Sequence, residues 1–129
     1  MALRVKQLEV KQDSRGWLAE ILRVEDTGAH QFGQIIVSTA YPGQTKGNHY
    51  HLRKREWYCV IKGKAKLTVV DRRTRESTEL VMEDVHPVVV EIPVGTLHWI
   101  SNIGASDMYL LTYTDESFDL NDPDTFYEK

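Results

Sequence analysis

Apolar residues recur along this chain in short runs that alternate with polar ones, and they do not fall at i, i+3, i+4 and i+7 over any helix-length window. Stretches of strand length cover residues 3–10, 17–24, 34–40, 56–62, 65–71, 77–82, 88–92, 96–102 and 108–114, and they are rich in Val, Ile, Thr, Tyr and Trp. Between them, Ser14-Arg15-Gly16, Tyr41-Pro42-Gly43, Lys62-Gly63-Lys64, Pro93-Val94-Gly95 and Ile103-Gly104-Ala105 supply the Gly and Pro that tight reversals need. Short strands at spacings of roughly ten residues predict an all-β chain folded as a two-sheet roll or barrel.

At 129 residues the chain fits one domain, spanning 1–129. Residues 115–129 are acidic but carry Phe118, Phe126 and Tyr127, so they are expected to dock as a tail on the barrel or on a partner subunit. Lys and Arg number 16 against 19 Asp and Glu, and a net charge of −3 provides no basic field for a polyanion, which argues against nucleic acid as a partner. No apolar run approaches the roughly 18–20 residues of a membrane span. The opening MALRVKQLEVKQ lacks the apolar core of a secretory signal, and Cys59 is a lone cysteine. The cytoplasm is the expected location.

Candidate chemistry concentrates in two stretches. The first runs from Gly43 to Gly63 and contains His49-Tyr50-His51 and Glu56. Two His at i and i+2 on a strand project from one face, and a short turn brings Glu56 to the same point from the next strand. The second, Pro93-Val94-Gly95-Thr96-Leu97-His98, sets a tight turn before a third His. Burying three imidazoles and a carboxylate without a compensating charge costs several kcal/mol, which a cation offsets. His49, His51, Glu56 and His98 are therefore expected to hold one divalent metal. Three nitrogens and one oxygen suit zinc first, and iron, manganese, nickel and copper as well. Isolated His30 and His86 read as packed core residues.

These paired stretches resemble the motifs of the cupin superfamily over residues 34–114, with Pro87 standing where the second motif usually has Gly. The resemblance implies a double-stranded β-helix, the jelly-roll barrel, with the four residues above as ligands. The run Pro42-Gly43-Gln44-Thr45-Lys46-Gly47-Asn48-His49-Tyr50-His51, with Lys54, Glu56, Glu116-Ser117-Phe118 and Pro123-Asp124-Thr125, is similar to the C-terminal cupin domain of bifunctional capsular-polysaccharide sugar-nucleotide epimerase/reductases. That family is similar in turn to dTDP-4-keto-6-deoxysugar 3,5-epimerases and sugar 3,4-ketoisomerases. The implied activity is epimerisation beside a 4-keto group of a nucleotide-linked 6-deoxy sugar, with bound zinc. No GxGxxG is present in the sequence, so reduction is expected to fall to a separate reductase. The same ligand set also suits a metal-dependent dioxygenase or other small-molecule cupin enzyme, and the barrel suits a non-catalytic sugar-binding module.

Epimerisation next to a ketone needs a stabilised enolate oxygen and a positioned base. In the metal-free epimerases the base matches His49, so here His49 is either ligand or base. If it is a ligand, Tyr109 and Tyr113, which share a strand face, and Lys46 are the proton-transfer candidates. Asn48, Tyr58, Asn102, Arg53 and Lys54 are the candidates for holding substrate, Tyr58 because alternation turns it inward with Glu56 and Asn102 because it shares a face with His98. Trp57 and Trp99 then face outward, and covering them favours a homodimer.

Overall fold

A computed structural model describes residues 3–28 and 32–128. The elements are β1 (Arg4–Gln7), β2 (Lys11–Asp13), β3 (Gly16–Leu18), α1 (Val24–Thr27), β4 (Gln34–Ala40), β5 (Thr45–Tyr50), β6 (Glu56–Lys62), β7 (Lys64–Asp71), β8 (Ser77–Glu83), β9 (Val88–Ile92), β10 (Thr96–Asn102), β11 (Met108–Thr114) and β12 (Phe126–Tyr127). Two five-stranded antiparallel sheets, β1-β9-β6-β11-β4 and β12-β5-β10-β7-β8, face each other. Strands β4 to β11 alternate between the sheets except at the β7–β8 hairpin, and the orders 4-11-6-9 and 5-10-7-8 are those of a jelly roll.

Alternation along the strands makes two apolar layers. Val60, Leu67, Val69, Val90, Ile100, Met108 and Leu110 fill the space between the sheets. On the outer face of the first sheet, Trp57, Cys59 and Val89 are buried under Leu8, Ile21 and Leu22. The Arg55 guanidinium lies 4.7 Å from the Trp57 ring centroid. Residues 17–24, expected as one strand, are strand only to Leu18; beyond it the chain crosses the sheet as a cover and closes with the single turn of α1. Gly33 marks where this cover returns to the barrel, since a Cβ there would lie 2.0 Å from the Thr114 carbonyl oxygen.

The first expected strand, 3–10, ends at Gln7, the strands from β4 onward that the sequence reading gave match it to within a residue, and three strands are additions to it: β2, β5 and β12. His86 is corrected from core to surface: it is exposed, bridged to Glu83 beyond the end of β8. His30 lies outside the described residues. No helix among the described residues is long and apolar enough to cross a membrane.

Candidate metal centre

The β5–β10 pairing sets the site. His98 pairs with His49, but beyond it the register shifts, so that Trp99 faces Gly47. The extra residue is Asn48, in the left-handed region at φ 63°, next to Gly47 at φ 101°. A Cβ on Gly47 would lie 3.0 Å from the His98 carbonyl oxygen, so a larger residue would push the strands apart. The bulge aims His49 at the interior while Thr45–Asn48 remains exposed.

The side chains of His49, His51, Glu56 and His98 converge, their donor atoms all within 4.8 Å of one another. His51, Glu56 and His98 are buried and His49 is partly exposed, so the cluster is open only on the His49 side. Glu56 Oε1 lies 2.8 Å from His51 Nε2 and 3.1 Å from His98 Nε2. The far nitrogens fix the tautomers. His51 Nδ1 is 2.6 Å from the Asp124 carbonyl oxygen and His98 Nδ1 is 3.0 Å from that of Thr96. Carbonyl oxygens only accept, so each Nδ1 carries the proton and each neutral ring turns its Nε2 lone pair toward Glu56. The two Nε2 atoms and Oε1 are closed to solvent and have no donor between them.

Three converging lone pairs need a positive centre, and a proton on Nε2 or a metal ion supplies one. Burial lowers the basicity of His51, but contact with the Glu56 carboxylate outweighs it and the net direction is upward. Burial raises the Glu56 pKa, yet the close contacts with the His51 and His98 rings override that and hold it well below the usual carboxylate range. His49 moves the other way: burial, then the neighbouring His98, lowers its pKa to about 4, so it is a neutral donor at neutral pH. A set of three imidazoles and a carboxylate, with one shared charge and Nδ1 protons held by carbonyls, fits a divalent cation.

The structure separates the other sequence candidates. On β11 the inward residues are Met108, Leu110, Thr112 and Thr114; Tyr109 and Tyr113 alternate with them and point away from the cluster. Tyr113 packs on Trp57 at 5.5 Å between ring centroids, and Tyr109 lies across from Lys62, at the end of β6 opposite Glu56. Proton transfer at the cluster is thus beyond both. Lys46 pairs with inward-facing Ile100, which puts it on the interior face at the exposed mouth.

Among the proposed substrate contacts, Tyr58 points inward, edge-on to His98 at 5.7 Å between ring centroids, and Asn48 is exposed in the bulge. Asn102 is on the inner face but fully engaged: Nδ2 donates to the Ala40 and Ser106 carbonyls, each at 2.8 Å, and Oδ1 accepts from Gly104 N–H at 2.9 Å. It is a structural residue. Arg53 is occupied by Glu116 and Asp122, and buried Lys54 donates to the Pro123 carbonyl at 3.1 Å, so both serve the tail rather than an open phosphate site.

Two residues of the last segment complete the site. Tyr127 pairs in register with His49, so it shares His49's face; its ring stands edge-on to the imidazole at 6.1 Å between centroids and is 70% exposed. Asp124 supplies the carbonyl that holds His51. The sequence marks Tyr127 only as an aromatic of the tail and Asp124 only within the Pro123-Asp124-Thr125 motif, because both reach the site through pairings with residues more than 70 positions away.

A separate concavity lies away from the cluster. An apolar groove of about 590 Å³ runs along the outer face of the first sheet, lined in part by Ile21, Leu22, Phe32, Ile35, Trp57 and Tyr113. Its walls are mostly hydrocarbon and aromatic, with none of the four converging donors.

Comparison with known proteins places these features in a wider set. The sequence profile described as Polysaccharide biosynthesis C-terminal domain matches residues 11–126. A UDP-2-acetamido-2,6-beta-L-arabino-hexul-4-ose reductase from Pseudomonas aeruginosa is 36% identical over 114 residues, which is 88% of this chain and 29% of that protein. A probable low-salt glycan biosynthesis epimerase, Agl13, from Haloferax volcanii is 27% identical over 130 residues, covering 95% of this chain and 83% of the relative. The crystal structure of the capsular polysaccharide assembling protein CapF from Staphylococcus aureus superposes with a TM-score of 0.75 at 34% identity, covering 95% of this chain and 34% of that one. The chain therefore spans about a third of the reductase and of the capsular protein.

Proposed function

The chain belongs to the polysaccharide biosynthesis C-terminal domain family, and on that premise we propose that it is a metal-containing cupin enzyme that epimerises or isomerises a nucleotide-linked 4-keto-6-deoxy sugar in cell-surface polysaccharide synthesis. The observation that carries this reading is the four-donor cluster, sealed on three sides and open at His49, with Lys46 and Tyr127 on the same face at the mouth.

His49, His51, Glu56 and His98 would hold the ion, zinc by preference. Bound there, the ion would polarise a sugar carbonyl, a contribution of several kcal/mol to enolate stabilisation. The protein's own groups do the rest. The buried side, packed with Tyr58, Val69 and Ile100, excludes water behind the ligands. The sugar enters over His49, where Tyr127 offers an aromatic face to the ring and Asn48 a polar contact. To Lys46 and Tyr127, on that face at the mouth, we assign the exchange of a proton with a carbon next to the ketone, the electron pair moving to the carbonyl oxygen and returning on reprotonation.

The Pseudomonas relative is named for a UDP-linked hexul-4-ose and the Haloferax relative for an epimerase, which supports both the keto-sugar and the reaction class. The apolar groove beside Phe32 and Ile35 is where a second copy would pack in a homodimer, and we place the protein in the cytoplasm.

The reading is tested by incubating the purified protein with a UDP- or dTDP-linked 4-keto-6-deoxyhexose in heavy water and following the sugar by NMR. Deuterium is expected at C3 or C5. No incorporation with either nucleotide would contradict the proposal.

A further inference from the structure

Asp124 sits in the left-handed region at φ 46°, an uncommon place for a residue with a side chain. It is buried, at 5% exposure, and every polar atom its side chain offers is engaged. Oδ1 accepts from Leu52 N–H at 3.0 Å, and Oδ2 accepts from Arg53 N–H at 2.9 Å and Lys54 N–H at 2.8 Å. Those three amides are the turn that immediately follows His51 and leads to Glu56. The Asp124 backbone carbonyl at the same time accepts the His51 Nδ1 proton at 2.6 Å. One residue thus grips both the ring of a candidate ligand and the backbone joining it to the next.

The surrounding segment is fastened to match. Arg53 pairs with Glu116 and Asp122, Lys54 Nζ reaches the Pro123 carbonyl, and Phe126 stacks on Tyr50 at 5.4 Å between centroids. These contacts hold Asp124 from both sides without touching the cluster.

We infer that Asp124 is a positioning residue for the metal centre: its carboxylate fixes the 52–54 turn, and through that grip its carbonyl locks the His51 ring with the proton on Nδ1 and the lone pair on Nε2 aimed at the ion. This inference rests on the metal reading above. A carboxylate is needed because two oxygens must accept three N–H groups. A carboxamide offers one oxygen and turns an NH₂ against the remaining donors. The carbonyl to His51 is backbone, so its loss in a variant would come from displacement of the segment, not from deletion of the acceptor.

The test uses the full-length protein and its Asp124→Ala and Asp124→Asn variants. Zinc affinity is measured by chelator competition, and the His51 ring is followed by long-range ¹H–¹⁵N NMR, which reports which nitrogen carries the proton. Circular dichroism checks that the barrel is folded. Asp124→Ala is expected to weaken zinc binding by about 10- to 100-fold and to lose the protected His51 Nδ1–H signal, with Asp124→Asn intermediate on both readouts. Should Asp124→Ala fail to fold, Asp124→Asn alone decides by the same two readouts. Wild-type zinc affinity with an unchanged His51 signal in the variants would overturn the inference while leaving the metal reading intact. A wild-type protein that takes up no zinc would overturn both.

Discussion

Oε1 of Glu56 stands 2.8 Å from Nε2 of His51, with both atoms closed to solvent and the His51 proton turned away toward Asp124. Two acceptors at that distance repel unless a positive centre lies with them, so this contact is a hydrogen bond only when Nε2 is protonated. Glu56→Gln keeps the shape and removes the charge. We expect it to weaken zinc affinity by about 100-fold or more, read by chelator competition, while the barrel remains folded.

The metal-free protein should show a pH dependence with a defined sign. His49 has a folded pKa of about 4, below its ordinary 6.5, so between those values the unfolded chain binds the extra proton. Stability contributed by neutral His49 is therefore present above pH 6.5 and lost as pH falls toward 4. His51, with its pKa raised, has the opposite sign, its contribution fading as pH rises through its folded value. Urea denaturation of metal-stripped protein from pH 4 to 6 should give midpoints that rise with pH, and His49→Gln should flatten that rise.

The groups at the mouth and the tyrosines of the outer face should part company in the exchange assay. Tyr127→Phe and Lys46→Met, which alter groups at the mouth, are each expected to lower the rate by about 10²- to 10⁴-fold with metal content unchanged. Tyr109→Phe and Tyr113→Phe, on the outer face, should leave it within about threefold. Parallel rate measurements on the four variants decide this.

Asn102→Ala strands the Ala40 and Ser106 carbonyls and the Gly104 amide around a residue only 3% exposed. A loss of roughly 3 kcal/mol is expected from denaturant titration, with no change in the KM for substrate. A raised KM with unchanged stability would restore Asn102 as a substrate contact.

The strand pattern was legible where one face is apolar and the other is not, as along β7. It misled on β11, where Met108, Leu110, Tyr109, Leu111 and Tyr113 make both faces apolar, because each is covered: one by the opposite sheet, the other by residues 19–24 and Phe32. Period-two alternation places Tyr109 and Tyr113 together but cannot say on which side. Strand β5 carries almost no apolar signal in Thr45–Tyr50, and only the His49/His51 spacing betrays it. The convergence of His49, His51, Glu56 and His98 followed from local spacing and a turn. The roles of Asp124, Tyr127 and Arg53 depend on where the tail lands, a long-range pairing with no local periodicity behind it.

The account stands on a single cation held by side chains from three strands and one turn. Crystals grown with zinc and measured on both sides of the zinc absorption edge test this directly. An anomalous peak within about 2.0–2.2 Å of a donor atom from each of His49, His51, Glu56 and His98 is the result expected. No peak among those four side chains in zinc-saturated crystals would contradict it.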